Sequence, residues 1–287
     1  MGRIAYVNGR YAPMGEAAVH IEDRGYQFAD AVYEVWALFG GKLADPQGHF
    51  ARLERSLGEL RIAMPMSRAA LTQVLRETVR RNRIREGLVY LQVSRGVAGR
   101  DHPFPSPPVR PAMVITVSAT DRAASEARAA KGVGVVTTPE TRWGRCDIKT
   151  VGLLPNVLAK QKARDAGAVE AWFVDDLGFV TEGASSNAWI VDAQGRLRTR
   201  DTNANILRGV TRSSLLDVIR GEGMEVDERP FTPADAIGAK EAFITGAGSL
   251  VLPVVTVDGK PVGEGKPGPV ATRLRRLYIE QAKATAI

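Results

Sequence analysis

The chain has 287 residues, 44% hydrophobic and 25% charged, the composition of a soluble globular protein with room for two small domains. One cysteine excludes a disulfide framework, three histidines leave no zinc cluster, and no apolar run is long enough to span a membrane. A net charge of +7 raises nucleic-acid binding, but the basic residues are dispersed among acids with no aromatic–basic platform, so a solvated face or a basin for an anionic substrate or cofactor accounts for them better. Met1 to Tyr6 carry no apolar signal region, so the expected compartment is the cytoplasm.

In chain order, Asn8-Gly9 between Ile4–Val7 and Arg10–Ala12 predicts a β-hairpin. The second half of 25–39 is rich in β-formers and reads as a central strand, with Tyr33 facing opposite to Val32 and Glu34. Phe50, Leu53, Leu57 and Leu60 make one apolar stripe, predicting a helix over His49–Ile62 with Arg52 and Arg55 beside it. Ser67 caps a second helix running to about Asn82. Strands follow at Leu88–Ser94 and Ala112–Val117, joined by a Gly/Pro-rich loop of about 15 residues that carries Arg100 and His102. Loops that long inside a compact domain are functional or disordered, and this one reads as functional.

Composition shifts over Thr120–Lys131, which places a linker there and gives domains 1–120 and 121–287. Beyond it the pattern predicts a strand at Gly132–Thr138 and a helix at Leu153–Ala166. Two hairpins follow, one joining Ala171–Val174 to Phe179–Thr181, the other joining Asn187–Val191 to Arg196–Thr199. A helix opens at Val210 with a hydroxyl-bearing residue expected at its N-cap, and Thr232-Pro233 starts a short one. Glu241–Thr245 is a strand running into Gly246-Ala247-Gly248, and the last helix spans about Pro269–Lys283. Two β-rich halves with a few helices each describe two α+β domains with a site between them.

The chemistry concentrates on Lys149 and Glu182. Lys149 follows Ile148 and precedes an apolar run, a setting whose desolvation disfavours the ammonium form and suits an amine that attacks a carbonyl. Glu182 ends a β-like run before small and polar residues, where a carboxylate can face a pyridine nitrogen. An ordinary surface lysine and a strand-end glutamate fit the same spacing. The single Cys146 reads as a packing thiol. Gly209-Val210-Thr211 at a helix start and the bare turn at Gly246-Ala247 offer backbone amides to an anion, and Arg52 offers a cation. Together these describe a pyridoxal phosphate site, with aldehyde on lysine, ring nitrogen on carboxylate and phosphate on amides plus arginine.

These residues carry a resemblance. Gly25-Tyr26-Gln27-Phe28-Ala29-Asp30-Ala31-Val32-Tyr33-Glu34, His49-Phe50-Ala51-Arg52-Leu53, Asp147-Ile148-Lys149 and Glu182-Gly183-Ala184-Ser185-Ser186-Asn187, in that order, resemble the fold-type IV pyridoxal phosphate enzymes over nearly the whole chain. That family holds the D-amino acid and the branched-chain aminotransferases. The resemblance implies two α+β domains, each a β-sheet or barrel core with flanking helices, and pyridoxal 5'-phosphate at their interface. By matched position, Lys149 is the Schiff-base lysine and Glu182 the partner of the pyridine nitrogen. Arg52, Val210, Thr211, Gly246 and Ala247 hold the phosphate, Leu207 packs on the ring, and Ser185 is a further cofactor contact. Tyr33 with Arg100-Asp101-His102 looks like the carboxylate trap of the D-amino acid enzymes, in which the arginine and histidine come from the partner subunit of a homodimer. Two positions depart from the pattern: Gly246-Ala247 stands where Ser-Thr is frequent, and Ala184 where serine is.

The resemblance implies transamination between a D-amino acid such as D-alanine and a 2-oxo acid such as 2-oxoglutarate. No metal, nucleic acid or membrane is expected. A branched-chain aminotransferase or an aminodeoxychorismate lyase on the same fold is the nearest rival, and the Arg100–His102 loop argues against both. A cofactor-free basic binding protein is the rival of another class.

Overall fold

The computed structural model describes residues 3–202 and 206–287. The chain divides into two compact units: Met1–Asp121 with Ile148–Gly152 and Thr285–Ile287, and Arg122–Asp147 with Leu153–Ala284. Both are α+β.

The first unit contains β1 (Ile4–Val7), β2 (Arg10–Pro13), α1 (Arg24–Phe28), β3 (Ala31–Phe39), β4 (Lys42–Leu43), α2 (Pro46–Glu59), α3 (Arg68–Asn82), β5 (Gly87–Ser94) and β6 (Ala112–Ala119). Its six strands form one antiparallel sheet in the order β2-β1-β6-β5-β3-β4. The β1–β2 turn forms at Asn8-Gly9, both in the left-handed region at φ 47° and 97°, as the dipeptide predicts. The Ser67 hydroxyl caps α3 by accepting from the Ala70 amide at 3.3 Å.

Period-two alternation splits this sheet into two faces. Val32, Trp36, Val89, Leu91, Val93, Ile115 and Val117 are buried in one cluster with Leu53 and Leu57 of α2 and Leu71 and Leu75 of α3. Burying each such side chain contributes roughly 1.5–3 kcal/mol. The opposite face carries Tyr33, Val35, Tyr90 and Gln92, all half-buried. Glu34 falls on the covered face and Tyr33 on the other, so adjacent residues deliver chemistry to opposite sides of one strand.

The second unit contains α4 (Arg122–Lys131), β7 (Val133–Pro139), α5 (Leu154–Asp165), β8 (Glu170–Val174), β9 (Val180–Gly183), β10 (Asn187–Val191), β11 (Leu197–Thr199), α6 (Val210–Gly221), β12 (Val226–Asp227), α7 (Pro233–Ile237), β13 (Glu241–Gly246), β14 (Leu250–Val257), β15 (Lys260–Pro261) and α8 (Pro269–Thr285). Its mixed sheet runs β12-β11-β10-β13-β14-β7-β8-β9, with β15 on β14.

Three expectations are corrected. Thr120–Lys131, expected as a linker, contains helix α4: its Ala, Arg and Glu are strong helix formers, but only Ala129 is buried, so no apolar stripe announced it. The N-cap of α6 is Gly209, with no side-chain cap, rather than a hydroxyl-bearing residue. Lys149, expected in the second domain, belongs with the first unit. Ile148 is buried in the first unit's core, and the backbone of 149–151 lies antiparallel to the start of β3. Tyr33 N donates to Lys149 O at 3.0 Å and Val151 N to Ala31 O at 3.2 Å. Among the described residues no helix is long and apolar enough to cross a membrane.

Candidate active site

In the first unit the site is built on β3 and α2. The pairing of 149–151 with β3 sets Lys149 beside Tyr33, with Nζ 4.0 Å from the centroid of the tyrosine ring. The Lys149 amide donates to the Ser56 hydroxyl at 3.3 Å. Ser56 lies one turn beyond Arg52 on α2, so one helical face serves both Lys149 and Arg52. Tyr33 packs against Tyr90 with ring centroids 5.6 Å apart, and the Tyr90 hydroxyl donates to Gln92 Oε1 at 2.8 Å. Burial, then the neighbouring Tyr33, pushes the Tyr90 phenol up to about 12.

Arg52 is oriented by a fully buried acid. Its Nε and Nη2 donate to the two oxygens of Glu34 at 2.7 and 2.8 Å. His49 Nδ1 lies 2.7 Å from Glu34 Oε2. Burial opposes the Glu34 charge, but the Arg52 guanidinium outweighs it and lowers the carboxyl to about 2. An ionised carboxylate only accepts, so His49 Nδ1 donates, and burial lowers the His49 pKa. Sequence reasoning missed Glu34 and His49. The available signal was an acid inside a run of β-formers, on the face that alternation buries.

In the second unit Glu182 sits at the centre of a donor set. Its side chain is nearly buried; Oε1 accepts from Arg142 Nη1 at 2.5 Å and from the Leu207 amide at 3.1 Å, and Oε2 accepts from Asn187 Nδ2 at 3.0 Å. Asn187 also donates to Leu207 O at 3.0 Å. Arg142 is shared with Glu140, to which its Nε and Nη2 donate at 2.9 and 2.6 Å, and stands 4.5 Å over the Phe173 ring. Burial works against its charge, yet the bonds to Glu140 and the field of Glu182 prevail and raise its pKa. Burial raises the neighbouring Cys146 thiol to about 11. Neither Arg142 nor Asn187 was anticipated, because their roles come from pairings across 40 and 5 residues that leave no periodic signal.

The α6 start packs tightly beside this carboxylate. A Cβ at Gly209 would lie 2.0 Å from Asn187 Oδ1, so only glycine fits there and the amides of Val210 and Thr211 follow an N-cap without a side chain. A Cβ at Gly246 would meet Ser185 O at 3.1 Å, placing the Gly246-Ala247 turn beside Ser185. Glu182, Ser185, Leu207, Val210, Thr211, Gly246 and Ala247 therefore converge within one unit, as Lys149, Tyr33 and Arg52 do within the other.

Arg100 and His102 form a third group. Their loop leaves β5 at Gly96, where φ is +113° and a Cβ would lie 2.1 Å from Arg110 O. Both side chains gather on the Phe28 ring, Arg100 at 5.2 Å and His102 at 5.5 Å. Among the described residues no hydrogen bond or ring contact joins either to Tyr33.

Residues 31–257 match the family described as Amino-transferase class IV. The chain is 39% identical to a D-alanine aminotransferase of Bacillus licheniformis, over 97% of this chain and 98% of that protein. It is 38% identical to the D-alanine aminotransferase of Staphylococcus haemolyticus, over 96% and 97%. Among solved structures it is similar to a T.th. branched-chain amino acid aminotransferase with pyridoxamine 5'-phosphate, at 27% identity and a TM-score of 0.88, covering 98% of this chain and 94% of that one. The Escherichia coli branched-chain enzyme, at 23% identity, TM-score 0.88 and coverage of 98% and 95%, shares the fold. The chain belongs to the class IV aminotransferases, which are pyridoxal phosphate enzymes with the fold expected above.

The residues present fit that group. The structure offers a half-buried amine, a buried carboxylate among donors, an arginine aligned by a buried acid, and a helix start whose amides no side chain caps. The frequent hydroxyls missing at Gly246-Ala247 leave backbone amides, which bind an oxyanion equally well in kind.

Proposed function

We propose that this protein transfers amino groups between a D-amino acid, D-alanine or a close relative, and a 2-oxo acid such as 2-oxoglutarate. The observation that carries the reading is the identity of 38–39% to proteins named D-alanine aminotransferase over nearly the full chain. The structures named as branched-chain enzymes match at 27% or below.

Bound pyridoxal phosphate supplies an aldehyde that condenses with amines and a ring that accepts the electron pair released at the substrate α-carbon. Lys149 takes the α-proton and returns it, as general base and then acid. Glu182 would face the pyridine nitrogen and favour its protonated form, and Arg142, Asn187 and the Leu207 amide hold the carboxylate in place. Arg52, aligned by Glu34, takes the phosphate with the amides of Val210, Thr211, Gly246 and Ala247, while Ser185 and Leu207 complete the wall. Arg100 presents its fork to the α-carboxylate that donor and acceptor share, with His102 and the Tyr33 hydroxyl beside it.

We read the assembly as a homodimer in which the Arg100–His102 loop reaches the partner's site. The packing of that pair on Phe28, with no hydrogen bond or ring contact to Tyr33 among the described residues, is compatible with this. We place the protein in the cytoplasm, consistent with a single cysteine and so no internal disulfide framework. Aminotransferase activity of D-alanine against L-leucine, each with 2-oxoglutarate, tests the function. D-alanine should prevail, and preference for L-leucine would overturn the substrate reading while leaving the family standing.

A further inference from the structure

Among the described residues the most deeply buried guanidinium in the first unit has no part in the chemistry above. Arg24, at the start of α1, is 3% exposed. Its Nε donates to Asp30 Oδ2 at 2.9 Å, its Nη1 to the Asp101 carbonyl at 2.6 Å and its Nη2 to the His102 carbonyl at 3.1 Å. The same Asp30 takes a forked pair from Arg95, at 2.7 and 2.9 Å. Two buried guanidinium charges thus share one carboxylate, and the remaining donors turn to backbone carbonyls. Arg95 takes those of Leu60 and Arg61. Arg24 takes the two that follow Arg100.

A buried guanidinium that loses an acceptor is left with a desolvated, unsatisfied N–H, so the loop carbonyls are held where the arginine needs them. One helical turn after Arg24 comes Phe28, whose ring lies 4.8 Å from the Arg24 guanidinium and carries Arg100 and His102. The root of the loop is knitted to the same stretch, with Arg24 N donating to Gly96 O and Arg95 N to Asp30 O. Backbone and side chains of 100–102 are therefore placed by the single turn 24–28.

We propose that Arg24 is the positioning residue of the Arg100–His102 loop. It sets the backbone at Asp101 and His102 and so the spacing at which the two side chains meet a substrate carboxylate. The proposal rests on the carboxylate-binding reading of that loop. It assigns Arg24 no contact with substrate.

The test compares two amines in the half-reaction of the pyridoxal phosphate-loaded enzyme: D-alanine, which has an α-carboxylate, and propylamine, which has none. Misplacing a substrate-positioning group costs up to about 100-fold, and for Arg24→Met the loss in kcat/KM with D-alanine should exceed that with propylamine by about tenfold, carried in KM. Arg24→Lys keeps the charge but cannot span Asp30 and two carbonyls, and should fall between wild type and methionine. Hydrogen exchange over residues 96–104 should quicken in both variants. Equal losses for both amines, or unchanged exchange in the loop of a folded Arg24→Lys, would overturn the assignment. Arg100→Met run in parallel separates the two readings. If it spares D-alanine, the carboxylate-binding reading falls and this one with it. If it raises the D-alanine KM while Arg24→Met does not, only the positioning role is lost.

Discussion

Each unit contains a buried carboxylate locked to an arginine, and the two pairs are used in opposite senses. In the first unit Glu34 is fully enclosed under α2 and gives both oxygens to Arg52 and His49, while Arg52 stays 10% exposed. In the second unit the arginine is the buttress: Arg142 is divided between Glu140 and Glu182, and Glu182 collects further donors from Asn187 and the Leu207 amide. The pair alone does not reveal which member works. In the proposed function Arg52 and Glu182 are the members that meet the cofactor, and Glu34 and Arg142 hold them in place. Buried pairs of this kind add little stability over apolar packing, and their value here is orientation.

In the proposed function Lys149 carries the proton transfer, so its loss sets the upper limit. Lys149→Ala should lower kcat on the order of 10⁴-fold, and borohydride should no longer fix cofactor to the chain. Labelling of another lysine with turnover retained would refute the assignment. Glu34→Gln leaves Arg52 and His49 facing a neutral amide and should destabilise the first unit by about 3–5 kcal/mol in denaturant unfolding, with weakened cofactor retention. Glu182→Gln keeps the shape but not the charge and should slow proton transfer about 10²-fold in single turnover, with modest change in substrate binding. Unchanged rates would remove Glu182 from its role.

Acid sharpens the contrast further. The folded Glu34 carboxyl is lowered to about 2 from its ordinary 4.5. Its contribution is therefore complete above pH about 4.5 and is lost as pH falls toward about 2, because the unfolded chain takes up the proton first. Wild-type stability should drop across that window, and the Glu34→Gln variant should show a shallower slope by circular dichroism. The smallest effect is at Cys146: with its thiol raised to about 11, alkylation by iodoacetamide at pH 8 should be slow until the chain unfolds. Rapid labelling of native protein would contradict that burial.

Much of the fold is legible in the sequence. Alternation in β3, β5 and β6, the stripes of α2 and α3, the Ser67 cap and the Asn8-Gly9 turn are local signals, and local structure obeyed them. Helix α4 was missed because it buries one alanine and shows no stripe. The α6 start is capped by glycine because Asn187 occupies the space a side chain needs, a fact 22 positions away in the chain. Lys149 was recognised as a residue but not as a neighbour of Tyr33, since that contact depends on a bridge between Val32 and Thr150. Glu34, Arg142 and Arg24 carry the same difficulty, with partners 15 to 18, 40 and 77 to 78 residues away, and the Asn187–Glu182 pairing, though only 5 apart, follows no periodic signal.

The contact between Gly209 and Asn187 also limits how the chain can change. A methyl group at 209 would overlap the asparagine amide, and the asparagine cannot simply shrink, because it holds both Glu182 and Leu207. Either substitution made first damages the carboxylate or jams the helix start. The two positions are therefore separated from any alternative pairing by a fitness valley, and mutational libraries that vary them one at a time will recover only the parent residues.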